Sequence, residues 1–98
     1  MYLKIHKSYR VVVAICDSEL IGKRFEEDKF QLDVKENFYK GEKLSEKEII
    51  SEMKRMARED ATFNIVGEKS VNAAIKAEII SPDSIGEIAG IPFAMLLG

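Results

Sequence analysis

TFNIVGEKSVNAAIKAEII, Thr62 to Ile80, joins a polar turn to a glycine and then to a small apolar helix. Val71, Ala74, Ile75 and Ile79 recur at helical spacing and give that helix one apolar face. Ala73, Ala74 and Ala77 are small enough for close packing. Gly67 stands where the helix begins, and Glu68 puts a carboxylate in its first turn, at the positive end of the helix dipole. Asn64, just upstream, suits a turn and tolerates a left-handed backbone. Ser81-Pro82-Asp83 ends the helix, because proline cannot continue it.

The plain reading of this stretch is a glycine-capped helix start. A sharper reading compares IVGEKSVNAAI with the turn of helix-hairpin-helix units, in which backbone N–H groups and a lysine face a nucleic-acid phosphate. Val66, Gly67, Lys69, Ser70 and Val71 fall at matching places, but Ile65 stands where that turn has its first glycine. With one glycine and one lysine, the plain reading stays ahead.

Downstream, Ser84 to Ile88 and Pro92 to Leu97 read as short strands around a turn at Gly90, with Pro92 suited to a strand start or an edge. Upstream, Leu44 to Asp60 reads as a helix. Ser45 and Glu48 form a capping box, and Leu44 with Ile49 makes a hydrophobic staple. Ile49, Ile50, Met53, Met56 and Ala57 make its buried stripe, in which methionine is core rather than a partner groove.

The N-terminal third is strand-like. Tyr2 to His6 and Arg10 to Cys16 predict an antiparallel hairpin turning at Lys7, Ser8 and Tyr9. In the simplest register His6 faces Arg10, Ile5 faces Val11 and Leu3 faces Val13. Leu3, Ile5, Val11, Val13 and Ile15 then share the core face, with Val12, Ala14 and Cys16 on a second, partly covered face. LIGKRF passes Gly22 and leads through the turn EEDK to a strand at Phe30 to Val34, whose alternation marks it half-buried. In FYKGE, Phe38 and Tyr39 plug the core edge before a turn at Gly41.

These elements predict one α+β domain over all 98 residues, a mixed or antiparallel sheet covered by two helices. The net charge of −2 does not support general polyanion binding. A single cysteine excludes an internal disulfide and a cysteine metal cluster and fits a reducing compartment. No apolar run suits a membrane span and no signal-peptide pattern opens the chain, so a cytoplasmic protein is expected. No metal or cofactor motif stands out.

Three function classes follow. For an enzyme, His6 and Cys16 are the obvious dyad, but the register above separates them by roughly 20 Å along the strands. A small site at Cys16-Asp17 suffers from a carboxylate that disfavours the thiolate. For nucleic acid, Lys4, Lys7, Arg10, Lys23 and Arg24 outnumber the acids of the first quarter, with Tyr2 and Tyr9 among them to stack on bases. Together with free N–H groups at Gly67 and Lys69, they define a candidate RNA surface. For a protein partner, IPFAMLL offers an apolar strand that pairs at a sheet edge with another protein or a second copy. A binding role ranks ahead of catalysis.

Cys16-Asp17 followed by LIGK, then FYKGE, then Asn64 with IVGE, then Gly90-Ile-Pro, resembles over nearly the full length the archaeal family labelled DUF424. The resemblance implies a small archaeal cytosolic α+β protein without an established activity, close to translation and RNA processing. It makes Cys16, Asp17, Gly22, Phe38, Tyr39, Gly41, Asn64, Gly67, Gly90 and Pro92 family-pattern positions without assigned roles. Relatives commonly read Pro-His-Ala-Gln where this chain has Pro92-Phe93-Ala94-Met95, which moves that strand from polar chemistry towards packing. The leading expectation is a small RNA-associated binding module. The alternative is a protein-interaction or self-associating module.

Overall fold

The computed structural model describes residues 1–98. A six-stranded mixed sheet has the order β5-β1-β2-β6-β8-β7. In chain order, β1 is Tyr2–Lys7, β2 Val11–Cys16, β3 Arg24–Glu27, β4 Phe30–Asp33, α1 Glu36–Tyr39, β5 Glu42–Lys43 and α2 Glu46–Ala57. These are followed by β6 Thr62–Val66, α3 Glu68–Lys76, β7 Gly86–Ile88 and β8 Ile91–Leu96. Strands β3 and β4 form a separate two-stranded hairpin.

The centre of the sheet is the parallel pair β2/β6, with Val12 opposite Thr62 and Cys16 opposite Val66. TFNIV is therefore a strand, not the expected polar turn. Its β-branched and aromatic residues favour strand, and Asn64's turn preference yields to ladders on both edges, against β2 and β8. Phe63 and Ile65 point into the main core, made with Leu3, Val13, Ile15, Ile49, Met53 and the small side chains of α3. Both helices pack on this upper face.

The hairpin β1/β2 forms, but Leu3 pairs with Ile15, Ile5 with Val13 and His6 with Val12. This differs by two residues from the expected register and moves the turn to Ser8–Arg10. Because side chains alternate with a period of two, every one keeps its expected face. Ala14, Cys16 and Val66 point to the lower face, where a second cluster with Leu20, Val34 and Tyr39 covers them. β4 occupies most of the expected third strand. Its partner β3 was not foreseen, and Phe30, expected on the buried face of that strand, is 68 % exposed.

The capping box of α2 has both halves. The Glu48 N–H donates to Ser45 Oγ (3.2 Å), and the Ser45 N–H donates to Glu48 Oε1 (3.0 Å). Helix α3 ends at Lys76, before the expected Ser81-Pro82 stop. Glu78 takes φ +61° just past its end, and Pro82 instead opens a 3-10 turn over Pro82–Ser84. Ala89 and Gly90 both have positive φ, the signature of the tight hairpin turn between β7 and β8. Pro92 is not at an edge, since β8 runs between β6 and β7. Its missing N–H faces Gly67, whose carbonyl is taken up by the Val71 N–H of α3.

Candidate functional site

The Gly67 turn is filled from within. Asp17, 3 % exposed at the end of β2, accepts hydrogen bonds from the Ser70 N–H (2.8 Å), the Ser70 hydroxyl (2.7 Å) and the Lys69 N–H (3.1 Å). The Gly67 N–H donates to the Pro92 carbonyl (2.9 Å). A carboxylate of the chain itself thus takes the place at the helix N-terminus that the helix-hairpin-helix reading would give to an external phosphate. The free backbone donors anticipated there are not free. Gly67 has φ +108°, and a Cβ on it would lie 2.4 Å from the Asp17 carboxyl carbon, so only glycine fits.

The candidate RNA-surface residues fall into separate groups. Lys7, Tyr9 and Arg10 are exposed around the β1/β2 turn, with Tyr9 fully exposed. Gly67 and Lys69 lie at the opposite end of the parallel pair, beyond Cys16 and Val66. The length of β2 separates the two groups by roughly 20 Å. Lys23 is exposed shortly after Asp17, just past Gly22. Arg24 pairs with Glu26 (3.1 Å) and donates to Gln31 (2.8 Å), and Lys4 donates to the Asn37 carbonyl (2.7 Å).

The expected dyad stays apart. Cys16 lies opposite Tyr2, four residues along β1 from His6, or about 13 Å. His6 Nε2 is 2.8 Å from the Phe38 carbonyl oxygen, and its ring stacks on Phe38 at 4.6 Å. The Cys16 thiol is fully buried, and burial, reinforced by Asp17, pushes its pKa up to about 12. It is therefore a core side chain and not a nucleophile.

The lower face of the sheet offers a more developed site. A cleft of about 310 Å³ opens between the β3/β4 hairpin and strands β6, β8 and β7. Phe30, Leu32, Val66, Ile88, Phe93 and Met95 give it apolar walls, and Asn64 and Tyr39 are the polar side chains with most to offer. The Phe93 ring lies across Gly86, where a Cβ would come within 2.6 Å of it. Asn64 projects between Ala14 and Met95, its cross-strand neighbours, and Ala14 is too small to cover it. The Asn64 amide makes no hydrogen bond within the chain. Tyr39 is 8 % exposed, and its hydroxyl likewise has no partner in the chain but reaches solvent, whereas Ser18 Oγ is both buried and unpartnered. Burial, with Cys16 nearby, pushes the Tyr39 hydroxyl up to about 12, so it is a neutral donor at any physiological pH. On the other side of Phe38 and Tyr39 lies a more polar hollow lined by His6, Asp33, Lys35 and Asn37.

Sequence reasoning singled out Phe38, Tyr39 and Asn64 but did not bring them to one face. Phe93 and Met95 were visible as departures from the family pattern, and the alternation of β8 turns both into the cleft beside Asn64.

Residues 5–98 match the model of the family described as "Protein of unknown function (DUF424)". The chain belongs to this family. Among solved structures it is similar to one described as "Crystal structure of an uncharacterized conserved protein from Methanopyrus kandleri". That protein is 26 % identical, with a TM-score of 0.88 over 97 % of this chain and 88 % of the other. No curated protein matches the chain. The DUF424 fold is thus an α+β domain with a mixed sheet, and no helix of this member is long and apolar enough to cross a membrane.

Proposed function

We propose that the protein works by binding, through the lower-face cleft, an apolar group that carries a neutral hydrogen-bonding atom. The observation behind this reading is one cleft whose apolar walls hold two polar side chains, Asn64 and Tyr39, with no hydrogen-bond partner in the chain for the Asn64 amide or the Tyr39 hydroxyl. The Tyr39 hydroxyl reaches solvent, so a ligand atom can take the place of water on it. Asn64 beside it adds an NH2 donor group and a carbonyl acceptor, and the apolar walls supply area. An amide on a ring or branched side chain matches this chemistry, as a protein partner would present it. Benzamide is a direct probe. Titrated into ¹⁵N-labelled protein, it is expected to shift the Asn64 side-chain amide and the Met95 backbone amide at concentrations of about 1 mM. Shifts scattered over the surface, or none, would count against the reading.

A second reading, an RNA-associated module linked to translation or RNA processing, draws support from Tyr9, fully exposed between Lys7 and Arg10. Such a tip stacks on a base and touches flanking phosphates. Binding of single-stranded RNA there would weaken with salt and vanish when Lys7→Glu and Arg10→Glu are combined. RNA binding indifferent to that double reversal would remove this reading.

A further inference from the structure

The edge of β8 beside the cleft is incomplete. β7 pairs with β8 only from Ile91 to Phe93, whereas β8 continues to Leu96 along β6. The bond from the Gly67 N–H to the Pro92 carbonyl fixes the alternation, with even-numbered residues of β8 bonding towards β6 and odd-numbered ones towards β7. Met95 therefore turns its N–H and C=O to the side where β7 has ended. Extended, the β7 register would put Ser84 opposite Met95, but Ser84 folds back and bonds to the Ser81 carbonyl. The Met95 side chain, 62 % exposed, continues the cleft, with Phe30 across it and Leu97 beyond, 72 % exposed.

The other margins of the sheet are blunted. β5 is two residues long and charged, and the stretch of β1 beyond it, Ile5 to Lys7, is short and ends in an exposed lysine. One bare stretch of strand edge with apolar side chains at its foot is what a strand-adding peptide uses, the ladder giving affinity and the pocket selecting alternate side chains.

Charge selects the occupant. From Ala77 to Gly98 the chain carries three carboxylates, Glu78, Asp83 and Glu87, and no lysine, arginine or histidine. Asp83 stands in the turn that leads into β7, and Glu87 stands on β7 itself. A second copy pairing β8 on β8 would set these acidic segments against each other. We infer that the cleft receives an extended segment of another protein, which adds as a strand at Met95, turns apolar side chains down towards Phe30 and Asn64, and carries lysine or arginine between them. This rests on the binding reading above and names its ligand class.

The test uses a capped heptapeptide alternating lysine with isoleucine or leucine. Hydrogen exchange at the Met95 amide is expected to slow by about ten-fold in its presence. N-methylation of the central residue, which removes one ladder donor, is expected to abolish that protection. Asp83→Lys with Glu87→Lys, both outside the cleft, is expected to weaken the basic peptide by about ten-fold and to favour a glutamate-alternating one. Peptide binding that leaves Met95 exchange unchanged, or that survives N-methylation, overturns the inference. If benzamide still shifts Asn64 while the heptapeptide does not bind, the strand-adding ligand is wrong and the cleft reading stands. If neither binds, both fall.

Discussion

Two residues carry opposite lessons. Asp17 is polar, buried and fully satisfied, and it ties the end of β2 to the start of α3. Asp17→Ala strands the donors of Lys69 and Ser70 and should cost about 3 kcal/mol in a urea titration. Gly67→Ala combines a forbidden backbone angle with a clash against Asp17 and should cost more than ~2 kcal/mol. A midpoint near wild type for either would show that the lock is not structural. The demand for glycine at Gly67 was legible in the sequence, but its partner was not, because Asp17 lies 50 residues earlier and only the β2/β6 pairing brings them together. Tyr39 buries its ring in the lower-face cluster but leaves its hydroxyl without a partner in the chain and open to a ligand. Cys16 adds a pH signature. Its thiol stays neutral in the fold up to about 12 but ionises in the unfolded chain from about 9.0. The stabilisation is therefore complete below pH 9 and is lost as pH rises towards 12. Chemical denaturation across that range should show stability falling with pH, less steeply in Cys16→Ala, and equal slopes would contradict this account of the thiol.

At the scale of elements, legibility followed locality. Helix α2 was readable because its capping box and apolar stripe lie within a few residues of one another. Ser45→Ala should lower stability by about 1 kcal/mol, and an unchanged thermal midpoint would mean that the cap contributes nothing. β6 was missed for a physical reason. A central parallel strand is buried on both faces and loses the alternation that marks a strand, and Asn64 in its middle carries the local preference of a turn. The β1/β2 register was read two residues out, because the turn absorbs Arg10 in place of Lys7. The faces survived that error, and so did the separation of His6 from Cys16. β3 was hidden by the charged run around it, which offers no apolar period to read.

Across the whole molecule, the sheet separates two jobs. Its upper face, under α2 and α3, holds the larger core, and its lower face is only partly covered by the β3/β4 hairpin and α1. Four of the five exposed large hydrophobics, Phe30, Met95, Leu96 and Leu97, gather towards the C-terminal strand, and the fifth, Tyr9, stands at the basic tip. The sequence carried the α+β class and the members of the cleft, but their convergence depends on the β2-β6-β8 order, which no local pattern encodes. The most direct test of the binding account is the affinity of Tyr39→Phe for benzamide, read from the Asn64 side-chain amide. Removing an unpartnered hydroxyl should leave folding stability unchanged or raised while weakening benzamide by about 2- to 10-fold. Unaltered benzamide affinity together with a loss of folding stability would show that the hydroxyl serves the fold and that the cleft is not the binding site.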